Sequence, residues 1–172
     1  ASVGAGASAS LKALTSGMML ISLPQAMILM KMFQAVDFYV SVFPRSEILS
    51  TEYYPESAAE GLADFQKDLA GKVLTIEFEL DGACFVAINA GPEFSFSEAV
   101  SFSISCENQE EIDYFWAKLS HVPESEQCGW CKDRYGLSWQ VVPGNMRELM
   151  QEPDAFSIIM RQKKIVIDEY GR

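Results

Sequence analysis

An unbroken apolar/polar alternation runs from Val73 to Leu80 (VLTIEFEL), and the pair Asp81-Gly82 follows it directly. A period of two places alternate side chains on opposite faces of a strand. Asp-Gly is the pair that a two-residue type I′ hairpin favours, because both positions need a positive φ. The run from Ala83 to Asn89 must then return antiparallel, with Leu80 opposite Ala83, Phe78 opposite Phe85, Ile76 opposite Ala87 and Leu74 opposite Asn89. One face carries Leu74, Ile76, Phe78, Phe85 and Ala87 and ends on Asn89; the other carries Thr75, Glu77 and Glu79 beside Cys84, Val86 and Ile88. An Asn on an apolar face needs hydrogen-bond partners, either in the Gly91-Pro92 turn or in a ligand.

The remaining elements fall around this hairpin. Met32, Val36, Tyr39, Val40 and Phe43 follow helical spacing up to Pro44, and Glu47 to Tyr54 reads as a strand. Pro55 to Ala70 is a polar connection, expected to be exposed and mobile. Val100 to Cys106 alternates serines with Phe102 and Ile104 as a further strand. Asn108 and Glu111 have capping-box spacing for a helix whose buried stripe is Ile112, Phe115, Trp116 and Leu119. Gln127 to Lys132 and Leu137 to Val142 read as closing strands, with the turn Lys132 to Gly136 between them. After Pro143, Met146, Leu149 and Met150, then Phe156, Ile159 and Met160, indicate two short helices broken at Pro153.

The order is strand, helix, three strands, then strand, helix and strands again. The expected boundaries are a tail over residues 1–17, a domain over 18–143 made of modules at about 18–92 and 97–143, and a helical appendage over 144–172. The appendage is expected to pack on the outside or on a partner chain. A chain of 172 residues buries roughly 70% of its unfolded surface and needs no disulfide or metal for stability.

With 24 acidic against 13 basic residues, the net charge of −11 repels phosphate backbones and anionic lipid. Nucleic acid and membrane surfaces are therefore not expected partners. The apolar stretch Met18 to Met32 is interrupted by Pro24 and Gln25, and falls short of the ~18 apolar residues a span requires. It is expected to supply a core strand or strand pair. Cys84 and Cys106 lie inside strands, where a thiol usually acts as a small buried hydrophobe. Cys128 and Cys131 have redox-motif spacing but precede a turn, not a helix N-terminus. On one extended strand they would point to opposite faces and could not pair without a bend. Structural thiols imply a cytosolic protein.

The runs Phe85 to Pro92 (FVAINAGP) and Ala99 to Ile112 (AVSFSISCENQEEI) resemble the PhnB-like family. So does Cys128-Gly-Trp130 followed by Lys132-Asp133, Tyr135-Gly136 and Ser138-Trp-Gln140. Phe38-Tyr39, Phe43-Pro44 and Ser46-Glu47 match the family's first helix and its exit, and the resemblance covers about Met30 to Pro143. This family, often labelled 3-demethylubiquinone-9 3-methyltransferase, belongs to the vicinal-oxygen-chelate superfamily of glyoxalases, bleomycin-resistance proteins and dioxygenases. The resemblance implies an α+β fold in which paired βαβββ modules form a cupped mixed sheet, here with a C-terminal helical appendage. It also implies homodimers, to which exposed Met and Phe of the appendage would contribute.

Superfamily enzymes hold a divalent metal with His or Glu from four strands. Carried over, three of those positions fall at Ala87, near Ser101 and at Gln140, where none of the residues is a good metal ligand. No metal and no cofactor are therefore expected. A methyltransferase would normally need a glycine-rich strand-to-helix loop, and none follows any strand. His121 is the only histidine and reads as solvated, and Glu77 and Glu79 read as a solvent-facing strand edge. The expected function is binding of a small organic molecule in an aromatic-lined cup. The expected ligand-binding residues are Asn89, Ser101, Phe102, Trp130, Trp139 and Gln140, with Phe85, Phe94 and Phe96 nearby. The alternatives are an enzyme of the superfamily acting on a carbonyl, phenolic or quinone-like compound, the methyltransferase of the label, and an interaction protein whose cup is filled by its own side chains.

Overall fold

A computed structural model of the chain describes residues 10–11, 17–19, 28–89 and 96–171, with side chains from Met32 onward. In chain order the elements are β1 (Ser10–Leu11), β2 (Gly17–Met19), α1 (Ile28–Val42), β3 (Glu47–Tyr53), β4 (Val73–Leu80), β5 (Ala83–Ile88), β6 (Ser101–Cys106), α2 (Gln109–Leu119), β7 (Trp130–Lys132), β8 (Ser138–Pro143), α3 (Met146–Leu149) and α4 (Ala155–Arg161). The fold is α+β. It divides into one unit at Leu14–Ser95 and another that joins Phe96–Arg172 to Ala1–Ala13.

In the first unit the sheet order is β2-β5-β4-β3, with β2 parallel to β5 and the other pairs antiparallel. The hairpin register is the one that the Asp81-Gly82 pair dictates: Leu80 faces Ala83, Phe78 faces Phe85 and Ile76 faces Ala87. Asp81 and Gly82 have φ of 50° and 83°, as a type I′ turn demands. Ile76, Phe78, Phe85 and Ala87 are buried with Met32, Ala35, Val36, Tyr39 and Val42 of α1. The Phe78 and Phe85 rings stack with centroids 5.5 Å apart. Each such side chain stabilises by about 1.5–3 kcal/mol relative to full exposure.

Val40 is only half-buried, and the α1 stripe runs through Ala35 and Val42 instead. The connection after β3 is less featureless than its polarity suggests: it holds 3-10 turns at Ala58–Glu60 and Asp64–Leu69, and it buries Leu62. Cys84 is exposed, contrary to its expected burial, because the hairpin register puts it on the polar face beside Glu79.

The second unit has the order β1-β6-β8-β7, with β6 parallel to β8. The short strand at Ser10–Leu11 runs antiparallel to β6, so part of the expected tail is paired. Most of the remaining N-terminal segment lies outside the described residues. Asn108 caps α2 by accepting from the Glu111 N–H (3.0 Å), while the Glu111 carboxylate reaches back to accept from the Glu107 N–H (2.8 Å). Ile112, Phe115 and Leu119 are buried beneath it, whereas Trp116 is only half-buried.

The first closing strand is shorter than expected, while β8 keeps its expected length shifted by one residue. Gln127 to Lys132 is not one extended run. Gln127 and Trp130 exchange backbone hydrogen bonds (3.1 and 2.7 Å) around Cys128 and Gly129, both at positive φ. The tight turn brings Gly129 close to the Val141 carbonyl and to Ile165, where a Cβ would crowd both. This turn docks the C-terminal segment: the Cys128 and Gly129 N–H groups donate to the carbonyls of Gln162 (2.9 Å) and Lys163 (2.7 Å). Gln109 adds bonds to Ile165 O (3.0 Å) and from the Ile167 N–H (2.9 Å). The appendage thus packs on the outside of its own unit. Ala155 and Ile158 turn inward, while Phe156 and Met160 are exposed.

Between β7 and β8 the buried Asp133 carboxylate organises the turn. It accepts from the Tyr135 and Leu137 N–H groups (2.8 and 3.1 Å) and from the Trp139 indole N–H (2.8 Å). Asp133→Ala would leave three donors without their acceptor, two of them in buried residues. We expect it to lose about 2–4 kcal/mol in urea unfolding. A loss under about 0.5 kcal/mol would show that the carboxylate is not what holds the turn.

Candidate functional site

The β6-β8-β7 sheet has two faces of opposite character, and register assigns each residue to one of them. Phe102, Ile104 and Cys106 pair with Trp139, Val141 and Pro143, and Cys131 pairs with Trp139. These belong to the α2 side, where all but Phe102 are buried. The other face is laid out in rows across the strands. Lys132, Ser138 and Ser101 form one row, and Trp130, Gln140 and Ser103 the next; Val142 and Ser105 follow.

On this face, open relative to the α2 side although Ser138 is buried and the other side chains are half-buried, the Gln140 amide Nε2 donates to Ser101 Oγ (2.8 Å), linking β8 to β6. Trp130 is half-buried beside it. Lys132 forms an ion pair with Glu98, its side chain 23% exposed against 65% for the glutamate. A hydrogen bond from Lys132, with its positive charge, holds the Glu98 carboxyl below the usual carboxylate range.

The six expected ligand-binding residues therefore separate into three groups. Ser101, Trp130 and Gln140 come together on the open face. Phe102 and Trp139 lie on the other side of the same sheet, their rings 5.8 Å apart; Trp139 is 1% exposed and its indole N–H is taken by Asp133. Asn89 belongs to the first unit and is buried at the end of β5. Its Nδ2 donates to Val73 O (3.0 Å), and its carbonyl accepts from Tyr54 OH (2.7 Å). Its Oδ1 has no partner among the described residues. The Gly91-Pro92 turn and Phe94 lie outside the described residues. Lys132, Ser103 and Glu98 were not singled out from sequence. Two-residue spacing from Trp130 would have placed Lys132 on the same face; Glu98, in a turn before β6, carries no periodic signal.

The three positions at which the superfamily's metal ligands would fall do not assemble a donor set. Ala87 is fully buried in the first unit's core. Ser101 and Gln140 are hydrogen-bonded to each other. No three His, Cys, Asp or Glu side chains gather among the described residues in a way that could hold a metal ion. A hydroxyl, an amide and a methyl group do not fit a divalent cation. Glu77 lies on the polar face of the first sheet, accepts from Ser50 Oγ (3.1 Å) and is exposed as expected, but β4 lies between β5 and β3 and is not the strand edge expected. His121 is exposed as well.

Comparison with known proteins now defines the class. The family model described as 3-demethylubiquinone-9 3-methyltransferase matches residues 24–142. A PhnB protein from Bacillus cereus, described by the same methyltransferase name, is 30% identical, with a TM-score of 0.53 over 73% of this chain and 98% of that one. A Staphylococcus aureus protein of known structure is 18% identical over 73% of this chain and 92% of its own, at a TM-score of 0.27. No functionally curated protein matches. The chain belongs to the PhnB-like 3-demethylubiquinone-9 3-methyltransferase family.

The thiols give a direct check on the two faces. Burial pushes Cys106 and Cys131 up to about 12, assisted by the charges of Glu111 and Asp133 respectively. Both then stay protonated and unreactive at pH 8. Cys84 is exposed and Cys128 half-buried. A disulfide exchange reagent at pH 8 should modify two thiols quickly and the other two only on unfolding. Fast modification of all four would contradict the burial of β6 and β7.

Proposed function

We propose that the protein binds a small organic molecule on the open face of the β6-β8-β7 sheet, without a resident metal. The observation that carries this reading is the Gln140–Ser101 hydrogen bond beside Trp130. It is a polar link between strands, next to an aromatic ring, on the face that does not supply the core. Pockets for small molecules combine apolar or aromatic surface with a few fixed polar groups. The Gln140 side chain has an amide oxygen and a second N–H still to offer, and Ser101 and Ser103 offer hydroxyls. A methyl group at Ala87, a hydroxyl at Ser101 and an amide at Gln140, the carried-over ligand positions, support a metal-free site.

The methyltransferase of the family's label is not the reading we favour, because the sequence has no glycine-rich strand-to-helix loop. Among the described residues no helix is long and apolar enough to cross a membrane. Four free thiols suit a reducing compartment, and we place the protein in the cytosol on that ground.

Native mass spectrometry of untreated protein should show a retained organic adduct. Gln140→Ala should lower affinity for that adduct about five- to tenfold, the loss of one hydrogen bond, with the fold intact by circular dichroism. Unchanged affinity would remove the open face from the reading. For assembly we propose a homodimer in which α4 presents Phe156 and Met160, 71% and 51% exposed, to a second copy. Light scattering at micromolar concentration should give a dimer, and Phe156→Glu should give a monomer. A monomeric wild-type chain would refute the pairing.

A further inference from the structure

We propose that the ligand of this face carries an anionic oxygen, a carboxylate or phenolate on a planar ring, which takes Lys132 from Glu98. The inference rests on the ligand-binding reading above and adds the chemical class. In a chain with 24 acids against 13 bases, the open face of the second sheet has no acidic residue in its rows. It offers serine hydroxyls, the Gln140 amide and one ammonium group. Lys132 can only donate, and hydroxyls and amides can donate to an oxyanion. A patch of this kind selects for oxygen-borne negative charge.

The geometry adds a ring. Trp130 and Lys132 are alternate residues of β7, so their Cα atoms are about 7 Å apart on one face. That separation suits an aromatic system lying over the indole with its acid group at the ammonium.

Glu98 occupies the place such an acid group would take. It reaches Lys132 from the turn Ser97–Val100, closed by the Val100 N–H donating to Ser97 O (3.3 Å). The cation is the more buried partner and the glutamate the more exposed one. A glutamate this exposed contributes little to stability, because solvent screens a surface ion pair and holding two long side chains together costs entropy. A ligand acid that also stacks on Trp130 and bonds to Gln140 replaces it at small cost. Glu98 is thus a placeholder that keeps Lys132 neutralised while the face is empty.

The test uses 2-naphthoate and its neutral counterpart 2-naphthamide, titrated calorimetrically into the wild type and into Lys132→Met, Lys132→Arg, Glu98→Gln and Gln140→Ala. The wild type should bind the acid at least tenfold more tightly than the amide. Lys132→Met should bring that ratio close to one by weakening the acid far more than the amide, and Lys132→Arg should keep it. Glu98→Gln should tighten the acid several-fold and leave the amide alone. If Lys132→Met keeps the preference, or Glu98→Gln fails to tighten the acid, the charge inference is overturned. If both probes bind equally and Gln140→Ala weakens both, the charge inference fails while the ligand-binding reading stands. Binding of neither probe by the wild type overturns both.

Discussion

The Asp133 carboxylate is the constraint on which the second unit depends. Three donors converge on it, one of them the indole of the largest fully buried side chain. A buried carboxylate is tolerated only when its lone pairs are occupied, and here they are occupied by the turn that it organises. The consequence reaches the opposite face. With Trp139 fixed on the α2 side, strand alternation forces Ser138 and Gln140 onto the opposite face, and the β7–β8 register then places Lys132 and Trp130 beside them. A slip of one residue would send Gln140 into the core and the indole into water. The candidate site is therefore positioned by an interaction on the far side of its own sheet.

The two units solve the same problem with different polar faces. Both bury one side of a small mixed sheet against a helix, and both leave the other side open to polar side chains. In the first unit the open side carries Glu47, Glu77 and Glu79, with Ser50 bonded to Glu77. In the second it carries serines, an amide, an indole and a lysine. Charged carboxylates facing solvent keep a sheet face hydrated, which accounts for the first face without a ligand. The second face has no such account. Its neutral hydroxyls add little to solubility, and its single cation is held partly down by a counter-ion borrowed from a turn.

Much of the fold was legible because it rests on local chemistry. Asp81-Gly82 dictated the hairpin register, Asn108 and Glu111 marked the start of α2, and Pro153 marked the break between α3 and α4. What local chemistry does not encode was missed. Gln127 to Lys132 reads as a strand from its place before the Lys132 to Gly136 turn, yet Cys128-Gly129 forms a type I′-like turn because the C-terminal carbonyls of Gln162 and Lys163 satisfy its N–H groups. That partner is more than thirty residues away. The candidate site divided for a related reason. Aromatic residue type alone treated Trp130 and Trp139 as equivalent, but they sit nine positions apart on adjoining strands, and pairing puts Cys131, not Trp130, opposite Trp139. Only the register separates the ring in the core from the half-buried ring on the other face.

Family membership fixes the scaffold and leaves the chemistry to the side chains placed on it. The superfamily's metal chemistry depends on imidazole and carboxylate at particular strand positions. In this chain Ala87 is buried in a core, and Ser101 and Gln140 are bonded to each other. A hydrogen-bonded Ser–Gln pair recognises oxygen and nitrogen atoms by direction, without the charge neutralisation a metal would supply. An oxyanion held on such a face needs its charge met elsewhere, and the only cation in the rows is Lys132. The lysine thus provides, from the edge strand, the positive charge that the carried-over ligand positions do not.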